Sequence, residues 1–324
     1  MSKANAASTF GPHSVVPGDD TLEAEPSIHA AVQRLAKNWS IELTPREVGR
    51  LGGRLTELVP AGTRVYLTWL AGSAFADSLD AARRLRRSGM TPVPHLAARA
   101  IQDEAQLSDM LIRLRGEADV EQALLIAGAL KQPAGTFDSC MQVLEMRQFE
   151  RHGMRRLGLA AHPEGSPDIP PAALSRALAE KNAYAARSDI AFELMTQFCF
   201  DAAVITEWER QVRAAGNRLP VAVGLAGLAS VTTLIKHARS CGVGNSIGLL
   251  LKHASKLRQL ASAVDPSGMV LDLARAKQAD HACAIARLHF FPFGSFAATA
   301  RFARALAEGD FTIEKDLRRI RVHQ

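Results

Sequence analysis

A single glutamate stands inside an apolar string, Ile41-Glu42-Leu43. A carboxyl held among apolar neighbours and shielded from water has a raised pKa and can act as a general acid. Other polar groups interrupt apolar strings in the same way: Thr68, His95 in Pro94-His95-Leu96, His162 and Glu164, Gln197 ahead of Phe198-Cys199-Phe200-Asp201, and His289 ahead of Phe290-Phe291. Imidazoles can move protons near neutral pH, and a glutamine amide both donates and accepts. Each residue also has a plain structural reading. Glu42 could face solvent or pair with an arginine, the two strand histidines could be hydrogen-bonded core residues, and Gln197 could satisfy buried backbone groups. Joint placement favours chemistry, because all of these groups fall at or near the C-terminal ends of strands. In a barrel, that is the face where sites are built.

The elements that would position them alternate along the chain. Strands are expected at 39–44, 64–69, 91–96, 122–128, 156–162, 191–200, 219–224 and 282–291, with amphipathic helices between them. Thr44 followed by Pro45 predicts a helix start, an N-cap and a first-turn proline. A helix is expected from 103 to 115, and another closes on Arg83-Arg84-Leu85-Arg86-Arg87, cations that suit the negative end of a helix dipole. The fourth strand is almost wholly apolar, as a strand buried on both faces should be. Eight βα units predict a parallel sheet closed on itself, a (β/α)8 TIM barrel over 35–324 preceded by a flexible, partly disordered extension over 1–34. A doubly wound open sheet is the competing arrangement. Against it, no Gly-x-Gly-x-x-Gly follows the first strand and no P-loop occurs.

Composition narrows the partners. The 324 residues are 47% hydrophobic and 22% charged, with a formal net charge of +6. That excess is too small and too dispersed for a nucleic-acid surface, and no apolar run is long enough to cross a bilayer. The polar start of the chain lacks the basic and apolar regions of a secretory signal, so a cytoplasmic location is expected. Cys140, Cys199, Cys241 and Cys283 lie far apart without metal-ligand spacing, which predicts reduced thiols and no structural metal.

In this order and on these strands, the polar strings resemble those of the methylenetetrahydrofolate reductase family, over about 40–293. Ser40-Ile41-Glu42 is similar to the family's first strand, whose glutamate is the catalytic acid. Pro94-His95-Leu96 matches its Pro-His-Leu beside the flavin, and His162-Pro163-Glu164-Gly165-Ser166-Pro167 resembles its Tyr-Pro-Glu-Gly-His-Pro loop. Thr196-Gln197-Phe198-Cys199-Phe200-Asp201 matches its Thr-Gln-x-x-Phe-Asp, and His289-Phe290-Phe291 resembles its His-Phe-Tyr. The resemblance implies FAD, with NADH or NADPH as co-substrate, and interconversion of 5,10-methylenetetrahydrofolate and 5-methyltetrahydrofolate. Glu42 would protonate N10, and Gln197 would hold the pterin. Phe200 or Phe291 would either stack on the pterin or pack in the core. Thr68, His95, Gly128, Ala129, His162 and Lys181 would line the flavin, Lys181 at its phosphate.

The departures point to a divergent branch. Ala127-Gly128-Ala129 stands where the family often carries Gly-Asp, so Ala129 replaces a carboxylate near flavin N1. Removing that charge would raise the flavin's potential and favour oxidation of the methyl-folate, as in one-carbon catabolism. Two alternatives stay open: a flavin-free reductase of the same fold, and a non-catalytic folate-binding protein. The oligomeric state is not fixed by the sequence.

Overall fold

The computed structural model describes residues 27–240, 263–314 and 319–323. Cys241 and residues 1–26 of the expected extension over 1–34 lie outside them. Eight parallel strands close into a barrel: β1 (Ser40–Leu43), β2 (Arg64–Leu67), β3 (Thr91–Ala97), β4 (Gln122–Ile126), β5 (Arg156–Ala161), β6 (Ala191–Cys199), β7 (Val221–Ala226) and β8 (Ile285–Phe291). Each strand pairs with its neighbours in the order β1-β8-β7-β6-β5-β4-β3-β2, so the first and last strands form the seam. The open doubly wound sheet is thereby excluded, and the fold is a (β/α)8 barrel. Among the described residues no helix is long and apolar enough to cross a membrane.

Alternation along the strands makes two cores. Outward residues, among them Ile41, Val65, Leu125, Leu159, Leu194, Val223 and Phe290, pack with the surrounding helices in the main apolar cluster. Each such fully buried side chain contributes roughly 1.5–3 kcal/mol. Inward residues Tyr66, Val93, Leu124, Met195 and Ala222 form a separate small cluster across the barrel axis. Burial of both strand faces explains why β4 and β7 read as apolar runs.

Local chemistry fixes the helices. Thr44 caps Pro45–Leu51 through a complete capping box with Glu47, and Asp103 caps Glu104–Ala118. The arginine run ends the helix Phe75–Arg87, where Arg84 also pairs with Asp80 at 2.7 Å. The boundary expected between 34 and 35 falls inside the helix Ile28–Ala36, which buries Val32 and Leu35 and packs against the helices Ser267–Ala279 and Phe296–Glu308. A short hairpin, Phe311–Ile313 with Ile320–Val322, follows the barrel.

Candidate active site at the barrel mouth

Glu42 points into the barrel from β1. Its Oε1 accepts a hydrogen bond from Thr68 Oγ1, just beyond β2, at 2.7 Å. Its Oε2 lies 3.4 Å from His289 Nε2 on β8 and 3.6 Å from His95 Nε2 on β3. Four elements thus bring a carboxylate, two imidazoles and a hydroxyl to one point. The apolar shield expected around Glu42 is absent, and so is its raised pKa. Burial pushes the carboxyl up, but His95, His289 and Thr68 together outweigh it and hold the pKa below the usual carboxylate value. Both imidazoles are held below the usual histidine value, chiefly by burial, with Glu42 opposing the shift. As it stands, the group is a carboxylate ready to take a proton.

Beneath it lies a polar layer that the sequence reading did not single out. Arg287 on β8 donates from Nε to Glu193 Oε2 at 2.9 Å, from Nη2 to Tyr66 Oη at 2.9 Å, and from Nη1 to Ser40 Oγ at 2.5 Å. Tyr66 Oη donates to Glu193 Oε1 at 3.1 Å, and Arg64 lies 3.6 Å from the same oxygen. Ser40 Oγ in turn meets His289 Nδ1 at 2.8 Å. Burial opposes the Glu193 charge, yet Arg287 beside it brings the carboxyl pKa down to about 2. Burial is also the main reason that Tyr66 is pushed up to about 12, so it stays a phenol. Glu193 and Arg287 each sit at an inward position of a strand, which is the signal that could have found them.

The remaining candidates lie around the rim. Gln197 lines a cleft with His162, Pro163, Glu164, Gly165, Phe198 and Cys199. Its Oε1 accepts from Phe198 N at 3.0 Å, which leaves the amide nitrogen to donate. Burial, with Lys181 adding to it, brings the His162 pKa down to about 4, so the ring is neutral. Cys199 Sγ donates to Glu164 Oε1 at 2.9 Å. Phe198 is fully buried at the centre of an aromatic cluster, 5.7 Å from Phe200, 5.6 Å from Phe291 and 4.9 Å from Phe293 between ring centres. Phe200 and Phe291 are only partly buried, so packing in this cluster leaves part of each ring accessible.

The residues assigned to FAD fit it poorly. Lys181 is the one cation among them, and its Nζ donates to Ala160 O on β5 at 2.6 Å. Burial holds that ammonium's pKa below the usual lysine value, and one of its three donors is engaged by the carbonyl. Thr68 Oγ1 is committed to Glu42. Gly128, with φ of 91°, turns the chain after β4, and Ala129 behind it is exposed and carries no polar group. Among the described residues no group of three or more His, Cys, Asp or Glu could hold a metal ion.

No protein-family model matches the chain. Among solved structures, it is similar to an uncharacterized protein from Clostridium thermocellum, described as binding two copies of 5-methyl-5,6,7,8-tetrahydrofolic acid. The likeness covers 86% of this chain and 95% of that one, with 12% identity and a TM-score of 0.56. At that identity it shows the barrel fold.

Proposed function

We propose that the protein binds a reduced folate at the barrel mouth and interconverts its 5,10-methylene and 5-methyl forms, using Glu42 for the proton at N10. The observation that carries this reading is the Glu42 centre itself, a largely buried carboxylate hydrogen-bonded by Thr68 and His289 and faced by His95 at the C-terminal ends of the strands. The motifs shared with methylenetetrahydrofolate reductases support it. So does the folate bound by the similarly folded Clostridium protein.

Ring opening breaks the bond between N10 and the one-carbon unit. The electron pair goes to N10, which must receive a proton. Ring closure is the reverse, with N10 giving up its proton. The ionised Glu42 of the ligand-free site suits ring closure, and once protonated it returns the proton in the other direction. Gln197 donates to the polar edge of the pterin through its amide nitrogen, and Phe200 or Phe291 offers a face for stacking. The hydride comes from NADH or NADPH. The resemblance routes it through FAD, whereas the engaged Lys181 and the apolar Ala129 favour direct transfer to the folate.

Two measurements test the reading. Calorimetric titration with 5-methyltetrahydrofolate should give a single barrel-mouth site that Gln197→Ala weakens. Anaerobic incubation with methylenetetrahydrofolate and NADH should give the methyl form, and the absorption spectrum of the purified protein shows whether flavin is present. Absence of folate binding at millimolar concentration refutes the proposal. Binding without turnover leaves a folate-binding protein.

A further inference from the structure

Glu42 Oε2 faces two imidazoles at similar distances, but the two are not equivalent. Arg287 Nη1 donates to Ser40 Oγ, and a guanidinium has no acceptor. The Ser40 hydroxyl therefore spends a lone pair on Arg287 and must send its own proton elsewhere. Its remaining side-chain hydrogen-bond contact among the described residues is His289 Nδ1, at 2.8 Å. Nδ1 is then the acceptor, the ring proton sits on Nε2, and Nε2 donates to Glu42. Protonating Nδ1 as well would turn the Ser40 hydroxyl away and place a second cation beside Arg287. His95 has no such constraint. Its Nε2 is buried, makes no hydrogen bond among the described residues, and lies 3.6 Å from the same carboxylate oxygen.

We propose that Glu42 shares its exchangeable proton with His95 alone, while the chain Arg287–Ser40–His289 holds His289 as a neutral Nε2–H donor that positions the carboxylate. His289 is thus a positioning residue, and the acid–base unit is the Glu42–His95 pair, which titrates as one system. The groups around His289 agree with this. β1 supplies Ser40 and Glu42. β2 supplies Tyr66, its ring at 4.6 Å, and the residue just beyond it is Thr68. β3 supplies His95, β6 supplies Glu193 behind Arg287, and β7 pairs through Gly224, which carries no charge. Burial and then Arg287 oppose a charge on His289, with Glu42 favouring it, whereas at His95 burial is opposed by Glu42 alone. The first proton that the cluster takes up goes to the His95–Glu42 pair. In ring opening the pair releases it to N10 as the N10–carbon bond breaks, and ring closure returns it.

The use of this proton rests on the folate reading, but the tautomer does not, so the experiment has two arms. Long-range 15N NMR of the ligand-free, histidine-labelled protein, assigned with His289→Gln and His95→Gln, reads each ring nitrogen between about pH 5 and pH 9, either side of the usual histidine value of about 6.5. The expected result is an unprotonated Nδ1 and a protonated Nε2 at His289 throughout, with any imidazolium appearing at His95. A protonated Nδ1 at His289, or an imidazolium there before His95, overturns the proposal, and the wild-type protein alone can show it. In the second arm, the pH profile of folate conversion is measured. His289→Ala should slow it roughly ten- to hundredfold, the loss expected for a hydrogen bond to a charged group. His289→Gln, whose amide can donate to Glu42 and accept from Ser40, should restore most of the rate without moving the midpoint. His95→Gln should move the midpoint down by about one pH unit or more. A midpoint that moves with His289→Gln and not with His95→Gln overturns the assignment. The expected NMR result in a protein that converts no folate refutes the functional reading and leaves the tautomer standing.

Discussion

Replacing Glu193 with glutamine tests the polar layer under the site. Glu193 is 3% exposed and bonded to Arg287 through both carboxylate oxygens. Its pKa falls from 4.5 to about 2 in the folded chain. At about 1.4 kcal/mol for each pH unit, that depression corresponds to roughly 3 kcal/mol of stability. The sign is that of a depressed carboxyl. The contribution is complete above the unfolded value near 4.5 and is lost as the pH falls towards about 2. Glu193→Gln should therefore lower the urea-unfolding free energy by about 3 kcal/mol at neutral pH, with the gap from wild type closing between pH 4.5 and about 2. Circular dichroism read at neutral pH and at several acidic values makes the comparison. A gap below about 1 kcal/mol, or one that does not change with pH, would refute the claim that the Arg287–Glu193 pair is a strongly coupled buried interaction. Removing both charges together, in Arg287→Met with Glu193→Met, should be milder than Arg287→Met alone, because a lone buried charge is the worst case.

Other substitutions read the mouth. Glu42→Gln should keep folate binding while slowing conversion by about 10²–10⁴-fold, measured in single turnover, because only the proton transfer is lost. Gln197→Ala should weaken 5-methyltetrahydrofolate binding roughly three- to tenfold in calorimetry, the range for one neutral hydrogen bond. At Gly224 a Cβ would stand 2.7 Å from Thr196 O and 2.8 Å from Phe291 Cε2. Gly224→Ala should thus destabilise the barrel by about 1–3 kcal/mol in urea unfolding and also reduce folate affinity, since the displaced groups line the mouth.

Most of the architecture was legible because strand and helix signals are local. Thr44 and Pro45 give a helix start within two residues, and the structure forms it, with Glu47 completing the capping box. The eight strands lie where alternation and apolar runs place them, apart from their ends. The last strand starts at Ile285 rather than 282, because Ala282 N is taken by Asp280 Oδ1 and Ala284 N by Glu209 Oε1. The seventh starts at Val221 because Leu219 N bonds Asn217 Oδ1. Side-chain competition for backbone N–H groups leaves no periodic trace. At the site, the convergence of Glu42, Thr68, His95 and His289 was readable from their strand positions. The Arg287–Glu193 pair was less legible, because it lies below the C-terminal rim and a lone charge in mid-strand reads equally as a solvent-facing one. The pKa of Glu42 was misjudged because its neighbours in sequence are apolar, while its neighbours in space are imidazoles.

The seam of the barrel has a consequence for how the chain comes into being. β1 is made first and β8 last, and their register sets Ser40 opposite His289. The hydrogen bonds at His289 therefore span the join between the first-made and the last-made barrel strand. Until β8 leaves the ribosome, Glu193 has no arginine from that strand, Ser40 has no donor, and Glu42 has one imidazole instead of two. The first- and last-made strands must therefore pair before the polar layer and the Glu42 centre are complete. Hydrogen exchange during refolding should show it, with the amides of Ser40–Leu43 and Ile285–Phe291 gaining protection together.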